Sequence, residues 1–357
     1  MNAKEYLLVP LFENFIKDSY KGTRLKADGS KIKSQTVNNY RYVLRYLQEY
    51  EMKEGAAIRI KVFRGDNKRA FTAERNYWKK FYLQFTQYLY TQKNCYDNYV
   101  GTVIKTIRIF FNYLNREKGI DTGNFYKSFY VCKEEVPIVT LLPEQLQFLI
   151  NDTEFDQKLS GPLQKSKAIF VFGCTVALRV SDLFSIRFSD VQQVGDTWFL
   201  PVKTIKTGTV VRIKLPAYAV DIIHSFRVNA KKRKTIFPPI PRTRFNNHLK
   251  EIAEQAGWVA GMGKSRTKRG IHHQLTFAKS DQQYRFCDLV SSHTMRRTAI
   301  TTMLMLGMKE HVVKQISGHS NDSKSFYRYV NLVQSYLDNE MDQVFDKLSG
   351  NNRIKTA

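Results

Sequence analysis

The sequence predicts a mainly α-helical protein of two domains with one small antiparallel β-sheet. Three observations carry that expectation. Apolar residues recur at steps of three and four over most of the chain. One stretch, "WFLPVKTIKTGTVVRIKLP", alternates in the manner of a β-hairpin. Near residues 125–141 the helical period lapses around Pro137. A chain of 357 residues has room for two cores.

Taken in order, Leu11, Phe12, Phe15 and Ile16 open a first helix. In "TVNNYRYVLRYLQEY" Val37, Tyr40, Leu44 and Leu47 form a helical stripe, and in "ERNYWKKFYLQFTQYLY" Trp78, Phe81, Phe85 and Tyr88 do the same. Between them, "EGAAIRIKVFRGDNKRAFT" reads as a strand-like or loop insertion. A fourth stripe runs through Val100, Ile104, Ile107, Phe111 and Leu114, with Gly119 as the expected C-cap. Lys and Arg fill the other faces, so residues 1–130 are expected to form a small bundle with a basic exterior. Residues 131–141 are expected to be a linker. The second domain, 142–357, opens with Pro143 in the first turn of a helix. "KSKAIFVFGCTVALRVSDLFSI" is almost wholly apolar and reads as one buried helix. The hairpin with a Thr-Gly turn follows it, then further helices. There is no internal repeat and no low-complexity segment.

Charge narrows the partners. Lys and Arg number 57 against 32 Asp and Glu, a net +25. Residues 1–135 carry 25 basic and 14 acidic side chains, the remainder 32 and 18. A polyanion contacting both halves is the natural partner, with nucleic acid ahead of anionic membrane, because the basic residues are interleaved with core positions. Cys95, Cys132, Cys174 and Cys287 are far apart and form no C-x-x-C pair, so neither zinc nor a disulfide framework is expected. The first 20 residues hold no secretion signal or membrane span, and a cytoplasmic protein with free thiols is expected.

Several residues are candidates for chemistry. Arg179 stands in "CTVALRVSDL", where nearly every neighbour is apolar. Its plain reading is a helix-surface arginine paired with Asp182. The sharper one is a guanidinium facing a cleft, since burying it uncompensated is costly. "SSHTMRRTAITTMLMLG" sets His293 and Arg296 on one helix face, with Ser292 or Thr294 as a cap and Gly307 as the stop. His319 follows Gly318 after the amphipathic "KEHVVKQIS", and a lone histidine is usually structural. Lys206 lies beside the hairpin turn, where a lysine is most often merely solvated. The tracts Lys231, Lys232, Arg233, Lys234 and Lys264, Arg266, Lys268, Arg269 are either phosphate contacts or solvated loops. "GMGKS" at 261–265 lacks the first glycine of a phosphate-binding loop, Trp258 standing there. His272 and His273 have no metal-ligand spacing with the cysteines and read as loop residues.

Each signal alone is weak, but their order is specific. Arg, then Lys in a hairpin, then His-x-x-Arg, then Gly-His, then Tyr resembles the tyrosine recombinases, the phage-type integrases. "ALRVSDLFSIRFSDV" looks like their first box, "SSHTMRRT" like the second and "SGHSNDSKSFYRYV" like the third. The K-S-F-x-x-Y ending is similar to mobile-element integrases of the Bacteroidetes type. The resemblance covers nearly the whole chain, most specifically 165–345. It implies a helical (SAM-like) core-type DNA-binding domain ahead of a mostly helical catalytic domain.

The activity implied is site-specific cutting and rejoining of DNA through a 3′-phosphotyrosine, with no cofactor and no metal. Charge developing on non-bridging oxygens then has to be met by fixed cations, and Arg179 and Arg296 have planar forks for it. The resemblance implies Lys206 as general acid, preferred to Lys203 within the strand. It implies His293 as proton acceptor or orienter, His319 as hydrogen-bond donor to the phosphate, and Asp182 as the carboxylate behind Arg179. The family's more usual spacing from this histidine to the nucleophile is nine residues, and position +9 here is Arg328. Counting from His319 therefore does not choose between Tyr327 and Tyr329; counting from "KSF" chooses Tyr329, with Tyr327 as rival.

Beyond the tyrosines, Val333, Leu337, Met341, Val344 and Leu348 form an apolar stripe. Its plain role is packing on its own domain; the resemblance implies docking on a neighbouring protomer in a tetramer on DNA. Accessory DNA-bending proteins are further candidate partners. The bundle begins near residue 8, so no additional N-terminal arm-binding domain is expected. Three rivals stay open. A type IB topoisomerase would relax any supercoiled plasmid alone, a non-catalytic DNA-binding protein would show a broken residue set, and a metal-dependent nuclease would be chelator-sensitive.

Overall fold

The computed structural model describes residues 4–62, 68–203, 210–228, 230, 233–277, 281–320 and 323–348. Lys206, Lys231, Lys232 and the hairpin's Thr-Gly turn lie outside the described residues. Two compact units result: Met1–Val136 with Ser265–Leu275, and Pro137–Lys264 with Thr276–Ala357. Among the described residues no helix is long and apolar enough to cross a membrane.

The first unit runs β1 (Lys4–Leu7), α1 (Leu8–Lys21), α2 (Ser34–Glu54), β2 (Arg59–Val62), α3 (Lys68–Thr91) and α4 (Asp97–Glu117). The helical stripes close on an aromatic core of Phe12, Phe15, Trp78, Phe85, Phe110 and Phe111, all essentially without solvent. Edge-on and tilted pairs such as Trp78–Phe111 add orientation to the burial. Within the insertion after α2, Arg59–Val62 form a strand, β2, paired antiparallel with β1, which lies before any periodic stripe.

The second unit continues with α5 (Pro143–Asn151), α6 (Thr153–Lys158), α7 (Gly161–Val176) and α8 (Val180–Leu183). Strands β3 (Gln192–Val194), β4 (Thr197–Lys203) and β5 (Val210–Leu215) make one antiparallel sheet in that order. Then come α9 (Ala217–Val228), α10 (Arg242–Gln255), the hairpin β6 (Lys264–Lys268) and β7 (Ile271–Leu275), α11 (Phe286–Leu289), α12 (Ser292–Met305), α13 (Glu310–Ser317) and α14 (Lys324–Leu348). α7 is the central rod: Ile169, Phe170, Val171, Phe172 and Cys174 are all buried, and Gly173 lets Met295 of α12 approach it closely.

Two features differ from the sequence reading and one adds to it. The apolar run does not stay helical through Arg179, because Ala177 turns left-handed (φ 55°) and ends α7. Tyr327 and Tyr329 share one continuous helix, α14, with the apolar stripe that begins at Val333. Residues 264–275 are not a solvated loop but a hairpin, so His272 and His273 lie in a strand, and from Ser265 to Leu275 this hairpin packs with the first unit. Its anchor is Asp97, 6% exposed. That carboxylate accepts the N–H of Arg269 at 2.8 Å, the N–H of Gly270 at 2.9 Å and the Tyr90 hydroxyl at 2.6 Å.

Candidate active site

The break after α7 sets the first arginine. Ala177 is buried, and its left-handed backbone is costly for any residue with a β-carbon. The chain leaves that turn extended, which makes Arg179 the N-cap of α8. Its Nη1 is buried and has no hydrogen-bond partner among the described residues. A buried donor without a partner is rare in a folded protein, and here it is what an anion would satisfy.

Arg296, on α12, holds the other side of the same turn. Its Nη1 donates to the Ala177 carbonyl at 2.8 Å, satisfying an acceptor left over where α7 ends. Burial, and then the like charge of Arg179, draw its pKa down to about 10, against Tyr329 and Asp182, which favour the cation. Arg296 is therefore still charged at neutral pH. Asp182, expected behind Arg179, is wholly buried on α8 and acts electrostatically on Arg296.

His319 is delivered by a helix ending. Gly318 caps α13 in the left-handed region (φ 63°), which a glycine adopts without steric cost, and the His319 N–H closes the turn on the Lys314 carbonyl at 2.9 Å. The Ser317 hydroxyl lies 2.7 Å from His319 Nδ1, and Arg296 Nη2 lies 3.3 Å from Nε2 and 3.4 Å from Nδ1. Burial first, then Arg296, Arg179 and Lys314, push the imidazole pKa down to about 4. At neutral pH it is uncharged.

The two tyrosines part company here. Positions two apart on a helix are about 200° around its axis. Tyr329 is half-buried against Ala177, Ala299, Ile300, Val313 and Phe326, with its ring 6.1 Å from that of His319. Tyr327 is 49% exposed, and the Lys314 ammonium sits 4.8 Å over its ring. Only Tyr329 joins the cluster of Arg179, Arg296 and His319.

His293 occupies the first turn of α12, capped by Ser291 rather than by Ser292 or Thr294, whose hydroxyl instead accepts the Ser291 N–H at 3.1 Å. Its imidazole is exposed, and Arg242 at the start of α10 donates from Nη2 to Nε2 at 2.7 Å. Arg242 was invisible to the sequence reading: it lies 51 positions from His293, at the start of a helix whose apolar stripe speaks for packing alone. Lys203 ends β4 opposite Val210, and Lys206 falls between them, outside the described residues.

The basic tracts divide. Arg233 donates to the carbonyls of Thr235 and Ile236, each at 2.8 Å, which ties the chain down at 233–236. Lys234 is exposed. Lys264 lies over Tyr284, and the Arg266 side chain folds back on the Ser265 carbonyl. In the hairpin turn, Lys268 bonds Asn94 at 2.8 Å and the Arg269 guanidinium covers the ring of Tyr90.

Comparison with known proteins gives a consistent result. The family model described as phage integrase family matches residues 141–335. The fold is similar to a lambda integrase dimer bound to a COC′ core site, with 13% identity, TM-score 0.58, and coverage of 91% of this chain and 77% of that one. It is similar to the XerH site-specific recombinase bound to palindromic difH substrate, at 12% identity, TM-score 0.57 and coverage of 94% and 95%. It is also similar to the Tn1549 transposon integrase in complex with circular intermediate DNA, at 15% identity, TM-score 0.56 and coverage of 90% and 94%. Among curated proteins no sequence matches.

Proposed function

This chain belongs to the phage integrase family, the tyrosine-type site-specific DNA recombinases, and from that premise we propose that Tyr329 is its nucleophile and that Arg179, Lys206, His293, Arg296 and His319 serve it. Tyr329 Oη attacks the scissile phosphorus; the tyrosyl O–P bond forms as the P–O5′ bond breaks. The tyrosine's proton passes to His293, and the departing alkoxide takes one from Lys206. Because the phosphotyrosine keeps the bond energy, the reverse step rejoins strands with no nucleotide cofactor. Arg179 and Arg296 meet the charge on the non-bridging oxygens; losing one such donor typically slows the step about 10²–10³-fold. No metal has a part in this reading.

The observation that supports Tyr329 over Tyr327 is their divergence on α14, one ring beside His319 and the other outside under Lys314. The test uses nicked duplexes from the DNA flanking this gene, with chelator present, resolved on a denaturing gel. A protease-sensitive adduct absent only from Tyr329→Phe is expected. Loss only in Tyr327→Phe would reverse the assignment, and no adduct on DNA the protein binds would leave a DNA-binding protein without catalysis.

The division of labour follows the same reading. Residues 1–130, joined by the 265–275 hairpin, form the core-type DNA-binding domain, 131–141 the linker and the rest of 142–357 the catalytic domain with its tail. The basic excess in both halves supports a clamp on duplex DNA. On α14, Leu337, Met341 and Phe345 are exposed at four-residue spacing, which supports a tail docking on a neighbouring protomer in a tetramer. Accessory DNA-bending proteins would act on DNA outside these residues.

A further inference from the structure

Ser317 is 1% exposed and sits one turn of chain from the proposed chemistry. Its Oγ is 2.6 Å from the Val313 carbonyl and 2.7 Å from His319 Nδ1. A hydroxyl has one proton and two lone pairs, so it can give that proton to Val313 and accept Nδ1–H, or turn and donate to Nδ1. Val313 sits within α13, where a carbonyl already has a helical N–H to accept, so the rotation leaves no orphan. Arg296 Nη2 lies 3.3 Å from Nε2 and 3.4 Å from Nδ1, so its contact is shared between the two ring nitrogens and does not by itself choose the tautomer.

We propose that Ser317 is a positioning residue for strand cleavage: with DNA bound, its hydroxyl donates to His319 Nδ1, so that the neutral imidazole carries its proton on Nε2 and gives it to a scissile-phosphate oxygen. The inference rests on the reading of His319 as a phosphate contact. Around the ring stand Arg296 from α12, Arg179 at the start of α8, Lys314 from α13 and the Tyr329 ring from α14. Three cations and burial oppose an imidazolium there. A neutral imidazole has a single donor. With that donor on Nδ1 the ring would turn a lone pair toward the phosphate, so donation from Nε2 requires that Nδ1 accept, and Ser317 is placed to satisfy it.

The test is single-turnover cleavage of a nicked duplex by the full chain, followed from about pH 5.5 to pH 8.5. Wild type, Ser317→Ala, Ser317→Thr and His319→Ala are compared. At pH 8, Ser317→Ala is expected to slow about tenfold, less than removal of a direct donor. Its rate should climb as pH falls, because His319 then needs a second proton to donate, and the Thr variant should restore wild-type behaviour. A Ser317→Ala enzyme with the wild-type rate and profile, beside a slow His319→Ala, overturns the Ser317 inference alone. A uniform slowing at every pH without rescue by Thr overturns it too, as plain packing. If His319→Ala cleaves as fast as wild type, the His319 reading itself fails and takes this inference with it.

Discussion

Gly173→Ala tests whether the α7–α12 contact sets the catalytic geometry. In an ordinary helix interior this change stabilises by about 1 kcal/mol. Here the new β-carbon would lie 2.4 Å from Met295 Sδ and 3.1 Å from both Met295 Cβ and Cγ. The sulfur is the outer part of a flexible chain and can swing away. The Met295 β-carbon cannot retreat without α12 moving a few tenths of an ångström, roughly. Overpacking of this kind costs about 1–3 kcal/mol, which offsets the propensity gain and leaves a net loss of about 0–2 kcal/mol. The larger effect should be on rate, because the residue after Met295 is Arg296, whose guanidinium is fixed on Ala177 at 2.8 Å. A displacement near 1 Å costs about 10²-fold in a positioned group, so a few tenths should cost roughly three- to tenfold. Urea midpoints and single-turnover adduct formation read the two effects separately. Adding Met295→Ala should recover part of the rate despite its own cavity, a coupling that a double-mutant cycle detects. A Gly173→Ala protein that is about 1 kcal/mol more stable and fully active would refute the reasoning.

Four further outcomes are expected. Truncation after residue 331 should abolish cooperativity in a gel-shift titration more than it weakens binding of one protomer, since it removes the exposed Leu337, Met341 and Phe345. If about eight phosphates are neutralised, the log–log salt slope of binding should be near −7, and a slope near −2 would contradict a two-domain clamp. His319, drawn down to about 4 in the folded protein from 6.5, takes up a proton more readily in the unfolded chain, so stability should fall as pH drops from about 6.5 toward 4. Urea midpoints of wild type and His319→Gln across that window check the sign, since the variant should lose that part of the slope. Asp97→Ala strands two backbone N–H groups and the Tyr90 hydroxyl, each worth about 1 kcal/mol or more, and should speed hydrogen exchange in the 269–270 turn.

Much of the fold was legible because burial imposes a period on helices. Val37, Tyr40, Trp78, Phe81, Ile104 and Leu114 were placed inward by spacing alone, and they are buried. The hairpin alternation of β4 and β5 was equally direct. What spacing could not see was backbone sign. Nothing in "CTVALRV" marks Ala177 as left-handed, since the turn is stabilised by Arg296 from 119 positions away. β1 was missed because four residues are too few for a period, and its partner β2 is distant in sequence. At the candidate site, residue types and their order were readable, and the choice between Tyr327 and Tyr329 was open by counting from His319. Arg242 and Ser317 gave no sequence signal, as their importance lies in contacts with His293 and His319.

The hairpin anchored on Asp97 has a consequence for how the polypeptide can be divided. Because Ser265–Leu275 belongs with the first unit, the chain passes between the units three times, after Val136, after Lys264 and after Leu275. A single nick near residue 136 therefore yields fragments that still share a folded body, in which the C-terminal piece contributes two strands bound to Asp97, Asn94 and Glu134 of the N-terminal piece. Co-expressed as separate halves, residues 1–136 and 137–357 should copurify without a covalent link, and the Asp97→Ala half should not.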